Sequence, residues 1–269
     1  MTTRRFICLS ALPLLFLSHV AAAQAPAAGH CDKEAAERAF LAGMRQYDKS
    51  CREVIPRLEE ASQLCPVPDP PNGPWLIHPN PFLEYSYLPF YFIAKCQYKL
   101  KDLPGTLRHL YLASCTGETK RDKKNTGDLG TLTSGCRQEL KSKQPPYFGE
   151  GFTAAQQRNW KEAAEKMWDA LQVAEETGEM KLPSGRFPVP YLPRFRLSEA
   201  LLQLGCYQEA CAELGQSKLK QLGQGKKELE PELRRLSELE SLCASKKSEP
   251  PQQKEMCQQW SCWLQSGGL

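Results

Sequence analysis

The residues of this 269-residue chain with the widest chemical repertoire are its 12 cysteines and 4 histidines. Thiolates and imidazoles hold zinc when they recur at short fixed intervals, and thiol pairs carry redox chemistry as Cys-x-x-Cys. Neither arrangement is present. Cys206 and Cys211, like Cys257 and Cys262, are Cys-x4-Cys pairs, and on a helix that step turns about 140° away from its origin, so neither pair clips one metal ion. His30, His78 and His109 have no second ligand type at metal spacing. Gly-x-Ser-x-Gly, a phosphate-cradling glycine loop and His-Glu-x-x-His are all missing. The acidic pairs Glu59-Glu60 and Glu175-Glu176 read as solvated charge on helix faces. The expectation is therefore no catalytic residue, no metal and no cofactor, with the cysteines serving as disulfides.

Disulfides call for an oxidising compartment, and the N-terminus supplies a route to one. Arg4 and Arg5 precede an apolar run from Phe6 to Val20 and then Ala21-Ala22-Ala23-Gln24-Ala25, the three-part layout of a cleaved secretory signal over residues 1–25. Pro13 and Ser18 break that run, and no other stretch approaches the roughly 20 apolar residues of a membrane span. The chain is thus expected to be secreted or periplasmic. Cys8 leaves with the signal, and the 11 remaining cysteines are odd in number, which leaves one thiol unpaired or bridging two chains as a disulfide-linked dimer. Without Arg4 and Arg5, Lys plus Arg falls from 35 to 33 against 31 Asp plus Glu, a balance of +2. That balance calls for neither nucleic acid nor an anionic membrane. The basic runs at Lys120–Lys124 and Lys218–Lys227 read as solvated surface.

The elements that must position the cysteines are helices. Leu197, Ala200, Leu201 and Leu204 line one helical stripe, and Tyr207, Ala210, Cys211 and Leu214 line a second. Leu204-Gly205-Cys206 between them is an abrupt turn, so the two stripes form an antiparallel hairpin. Earlier, Glu34 to Tyr47 and Arg52 to Leu64 form another hairpin folded at Asp48-Lys49-Ser50, and Tyr87-Leu88-Pro89 opens a third that turns at Lys101-Asp102. Cys31 precedes the first turn by as many residues as Cys65 follows it, which places the two at one end and predicts a Cys31 to Cys65 bridge. Counting outward from Gly225 along a closing helix from Lys227 to Ala244 brings Cys243 level with Cys206 and predicts a second bridge. The tail around Cys257 and Cys262 is then expected to be stapled back onto the body, with Cys211 as a partner.

The turn Gly205-Cys206-Tyr207-Gln208-Glu209-Ala210 and the segment Asn159-Trp160-Lys161-Glu162-Ala163 resemble the inter-helix turn of the tetratricopeptide repeat, Gly-x-Tyr-x-x-Ala. The chain also repeats itself. Placing Tyr87-Leu88-Pro89 on Tyr191-Leu192-Pro193 sets Leu100 on Leu204, Leu103 on Tyr207 and Leu110 on Leu214 without a gap. Lys101 and Thr106 depart from the pattern where the second copy has Gly205 and Ala210. The expected fold is all-α: a duplicated set of tetratricopeptide-like helix hairpins over 31–115 and 147–225, a connector over 116–146, and a closing helix and Cys-rich tail over 226–269. The resemblance implies a non-catalytic scaffold that binds an unidentified protein or peptide in the groove of its stacked helices.

Proline-dense segments at 66–81 and 178–190 carry the remaining signal. Trp75, Phe82, Tyr85 and Tyr91, answered by Phe187, Tyr191 and Phe195, are aromatic residues around the two loops. They either form a binding surface for a peptide, small ligand or glycan, or fold over their own hairpins as core. An alternative function, a small-ligand or glycan-binding receptor, rests on the first of these readings.

Overall fold

The computed structural model describes residues 31–65, 75–80, 83–122, 126–143, 146–181, 189–246, 249–251 and 253–266. The segment expected as a signal, together with Phe82 and Phe187, lies outside the described residues, as does the side chain of Tyr85.

The chain is mostly helical. α1 (Lys33–Met44) and α2 (Cys51–Leu64) pack on each other as the predicted hairpin, α1 burying Ala36, Ala39, Phe40 and Gly43 and α2 burying Val54, Leu58 and Ala61. Asp32 caps α1 by accepting from the Ala35 amide at 3.0 Å. An antiparallel ribbon, β1 (Leu76–Asn80) and β2 (Leu83–Ser86), leads into α3 (Pro89–Lys99) and α4 (Leu103–Cys115). A short α5 (Glu118–Arg121) and a long α6 (Leu129–Lys143) follow. The order then recurs: α7 (Tyr147–Gln156), α8 (Trp160–Val173), a ribbon of β3 (Met180–Lys181) and β4 (Val189–Pro190), α9 (Pro193–Gln203) and α10 (Tyr207–Gln216). After α11 (Leu219–Leu222) and a 3-10 turn at Lys227–Leu229 come α12 (Glu230–Lys246) and α13 (Lys254–Ser266).

The two sets of helices use the same local devices. Pro89 and Pro193 open α3 and α9, where a missing N–H costs nothing. Before each, a buried tyrosine latches onto the preceding helix end. The Tyr87 hydroxyl donates to the Ala61 carbonyl at 2.6 Å and reaches Cys65 O at 3.3 Å, while Tyr191 reaches Ala170 O at 3.1 Å and Ala174 O at 3.3 Å. The Ala61 and Ala170 carbonyls already accept from the capping amides of Cys65 and Ala174, so each tyrosine hydroxyl adds a second bond at a helix end. Advancing by the Tyr87-to-Tyr191 offset, buried Tyr91, Ile93, Cys96, Thr106 and Leu110 answer buried Phe195, Leu197, Ala200, Ala210 and Leu214. Leu100 is an exception to its expected inward placement, being 41 % exposed at the end of its helix.

Three hairpin turns close identically. Lys101, Arg158 and Gly205 adopt left-handed φ values of 64°, 60° and 76°. In each, the next residue's amide (Asp102, Asn159, Cys206) bonds back five positions, to Gln97, Ala154 and Leu201. Glycine adopts that conformation without steric cost, whereas Lys101 and Arg158 bear about 1 kcal/mol of strain each. Asp102 and Asn159 then cap α4 and α8, accepting from the amides of Gly105 and Glu162.

Within the stretch expected as a connector, α6 packs against both α4 and α8 and buries Cys136 and Leu140. The closing helix is present as α12, which buries Leu236, Leu239 and Cys243 against α10. The tail folds as α13 and packs against α4 and α10, one from each set, with Cys257, Trp260, Cys262 and Trp263 all buried.

Among the described residues five disulfides join Cys31 to Cys65, Cys51 to Cys96, Cys115 to Cys262, Cys206 to Cys257, and Cys211 to Cys243. The Cys31 pairing lies where the axial count places it. The expected Cys206 to Cys243 pairing is corrected: Cys206, at the start of α10, faces α13, and Cys211 takes Cys243 of α12. The same five-residue rotation that disqualifies Cys206 and Cys211 as a metal clip points them at two different helices. The odd thiol is Cys136, wholly buried, which withdraws it from the expected bridge to a second chain.

Candidate functional site

Where the two sets of helices meet, a line of large side chains fills the seam. Tyr111 of α4 meets Trp168 of α8 edge-on at 5.5 Å between ring centres, Trp168 meets Trp263 of α13 at 5.7 Å, and Trp263 meets Trp260 at 4.7 Å. Arg108 of α4 reaches across to Asp169 of α8 at 2.5 Å and to Glu165 at 3.6 Å, with its guanidinium 5.7 Å from the Trp263 ring centre. Burial pushes the Asp169 carboxyl up to about 6, against the opposing pull of Arg108. A buried pair of this kind fixes which helices meet more than it adds stability.

Beside this seam a cleft of about 400 Å³ opens, lined by side chains of α6, α8, α9, α10 and α13. Leu171, Val173 and Leu264 give it an apolar wall, half-buried, with Trp168 and Trp263 behind. Arg137 and Lys141 rise from α6, and Arg194 comes from the first turn of α9. Arg194 Nη1 donates to Glu213 Oε2 at 2.5 Å and to Gln216 Oε1 at 3.0 Å. Glu213 is nearly sealed from solvent, and burial raises its pKa against the Arg194 charge. Glu175 pairs with Lys218, whose hydrogen bond and charge hold its carboxyl below the usual range. Arg137 donates to the Tyr111 hydroxyl at 2.6 Å, which in turn donates to Gln172 Oε1 at 3.3 Å.

Of the aromatic residues read from the sequence as a binding surface, Trp75, Tyr91, Tyr191 and Phe195 have described side chains, and none of the four lines the cleft. Tyr91, Tyr191 and Phe195 are core, at most 8 % exposed, so burial removes them from any exposed surface. Trp75 is half-buried over the first hairpin, its ring 4.1 Å from that of Tyr87 and its Nε1 donating to Glu37 at 2.7 Å. The Tyr91 hydroxyl donates to Asp128. These rings follow the folded-over-core alternative.

Glu176 also departs from the sequence reading. Its buried carboxylate accepts from the amides of Phe195 (2.7 Å) and Lys218 (2.8 Å) and from the Ser217 hydroxyl (2.8 Å), joining the start of α9 to the segment after α10. Glu118 does the same work for α3, accepting from the amides of Phe90 and Tyr91 at 3.2 and 3.0 Å. A carboxylate at a helix N-terminus satisfies open amides and the positive end of the dipole.

Other groups with chemical potential are engaged in packing. His109 is half-buried, with Nδ1 3.0 Å from the Gly105 carbonyl, and desolvation lowers its pKa to about 4. Burial also pushes the Cys136 thiol up to about 11, which makes it a poor nucleophile. Cys206, Glu209 and Cys257 place their ligand atoms within 4.8 Å of one another, but the two sulfurs are bonded to each other and offer no thiolate. Among the described residues no helix is long and apolar enough to cross a membrane.

Sequence reasoning missed the seam and the cleft, because Arg108 and Asp169 are 61 positions apart and the cleft draws on five elements. One local signal was present: Trp260 and Trp263 flank a Cys-x4-Cys pair, which marks a segment bound for burial. No protein-family model matches this chain, and comparisons with curated proteins and with solved structures find no match.

Proposed function

We propose that this chain is a secreted or periplasmic, non-catalytic interaction module built on tetratricopeptide-like helix hairpins. The observation that carries the reading is the hairpin turn used three times, with left-handed Lys101, Arg158 and Gly205 and the same backbone bonds. Stacked hairpins of this kind present a rigid, extended surface instead of a reactive centre. Burial displaces the pKa of Cys136 and Asp169, and both groups serve packing within the helical core. Five disulfides suit a chain working outside a reducing cytosol. Affinity capture from the native extracellular or periplasmic fraction, with the folded chain and its reduced, alkylated form as parallel baits, tests the reading. A protein recovered in stoichiometric amount by the folded bait alone is expected; identical recoveries would overturn it.

A second reading, a small-ligand receptor, is favoured by the cleft between α6, α8 and α13. Its volume lies within the roughly 300–1,000 Å³ common to ligand sites, and it combines an apolar wall with a few polar groups. A ligand that binds only the folded state raises the unfolding midpoint by mass action, so a thermal-shift screen distinguishes this reading from the first.

A further inference from the structure

The hydrogen-bond inventory of the seam cleft is lopsided. Its acceptors are already engaged: Glu213 and Gln216 Oε1 by Arg194, Gln172 Oε1 by Tyr111, and Glu175 by Lys218. Its donors are not. Arg194 uses only Nη1, so among the described residues its Nε and Nη2 make no bond. Lys141 is exposed at the rim, and among the described residues it makes no direct ion pair, its charge acting on Glu175 only at longer range. Trp263, only 5 % exposed and part of the cleft lining, keeps a buried indole N–H with no acceptor. That N–H is closed off from the cleft, so Arg194 and Lys141 are the donors open to an incoming acceptor.

From this we infer that the cleft binds a carboxylate attached to a compact apolar group. Lys141 and the open edge of Arg194 take the anion, and Leu171, Val173 and Leu264 take the apolar body. A guanidinium edge offers two parallel N–H groups to a carboxylate, and a lysine adds a point charge. A phosphate would satisfy the charge and leave the apolar wall uncovered. A neutral sugar would leave Lys141 without an acceptor of matching charge. The same chemistry is offered by the C-terminal residue of a peptide ending in leucine or phenylalanine and by a free organic acid. The inference rests on reading the chain as a binding protein and gives that reading a ligand class.

The test uses the full disulfide-bonded chain, with tryptophan emission and titration calorimetry as readouts. The probes are N-acetyl-leucine, a short peptide with C-terminal leucine, the carboxamide of each, and inorganic phosphate. Both carboxylates, or the peptide acid alone, are expected to bind and perturb tryptophan emission, with the matching carboxamide at least about tenfold weaker. Binding by the peptide acid alone identifies a chain terminus as the source; equal binding by N-acetyl-leucine identifies a free acid. Lys141→Glu is expected to weaken the acid by about tenfold or more with its circular dichroism unchanged, and Lys141→Arg to restore it. Equal affinity for acid and carboxamide, phosphate binding as tight as either acid, or no binding by either acid would overturn the inference. Capture of a protein partner that persists in Lys141→Glu would leave the module reading standing while this one falls.

Discussion

Opening the Cys115–Cys262 bridge is the perturbation that best tests how the two sets of helices are tied. α13 is bonded to the first set through Cys115 and to the second through Cys206, so this one helix straps both. The bridge spans 147 positions. With Cys206–Cys257 still closed, the unfolded-state loop released by cutting it is shorter, roughly 95 residues, and the chain-entropy relation gives about 4–5 kcal/mol for a loop of that size. For a chain of this length each kcal/mol moves the unfolding midpoint by about 2–4 °C, so Cys115→Ala with Cys262→Ala should lower it by about 10 °C or more. The fluorescence change is the sharper readout. Trp260 and Trp263 are buried on α13 and Trp168 beneath them, so loosening the helix should red-shift tryptophan emission and admit acrylamide. The control is Cys31→Ala with Cys65→Ala, which removes a 34-position bridge far from these rings and should destabilise without changing seam emission. A double variant with a midpoint within about 2 °C of wild type and unchanged quenching would refute the strap.

Three further perturbations follow from the local devices. Lys101→Gly relieves a left-handed lysine and should stabilise by about 0.5–1 kcal/mol, whereas Gly205→Ala imposes the same strain and should cost about 1 kcal/mol; urea midpoints check both. Tyr87→Phe and Tyr191→Phe each strip a helix end of its buried hydroxyl partner and should cost about 1–2 kcal/mol by the same measure, in near-equal amounts because the two latches share one geometry. Burial depresses the His109 pKa from its ordinary 6.5 to about 4. The stability owed to its neutral form is therefore complete above pH 6.5 and lost as pH falls toward 4, about 3 kcal/mol in all. His109→Gln should flatten that part of the stability profile, as followed by denaturant unfolding between pH 7 and 4.

What the sequence revealed was what local pattern dictates. The stripes of α9 and α10 were legible because each helix repeats its apolar residues at the helical period. The Tyr87 to Tyr191 offset was legible because buried positions recur along both sets. Cys31 and Cys65 could be paired because both flank a single hairpin, where position along the helix fixes proximity. Cys206 could not be assigned in this way, since its partner lies 51 positions downstream on a helix whose placement depends on tryptophan packing. Glu176 read as solvated because a carboxylate next to Glu175 carries no local mark of burial. Only the arrival of the α9 N-terminus and the Lys218 amide gives it partners. The aromatic residues around the proline loops were conspicuous by type, but type does not distinguish a latch from a surface: Tyr191 spends its hydroxyl on the α8 terminus.

The cleft and the strap are physically one feature. Trp263 packs on Trp168 within the seam and also lines the cleft, so the bridges that hold α13 in place also set the shape of the apolar wall. Arg194 is fixed in the same way, because Glu213 and Gln216 engage one nitrogen of its guanidinium and leave the other edge open. A site whose donors are held by neighbouring side chains loses little rotational freedom when a ligand arrives, which favours affinity from few contacts. Reduction would free α13 and blur the apolar wall. Ligand affinity and the unfolding midpoint should therefore fall together in Cys115→Ala with Cys262→Ala, whereas Lys141→Glu should lower affinity alone.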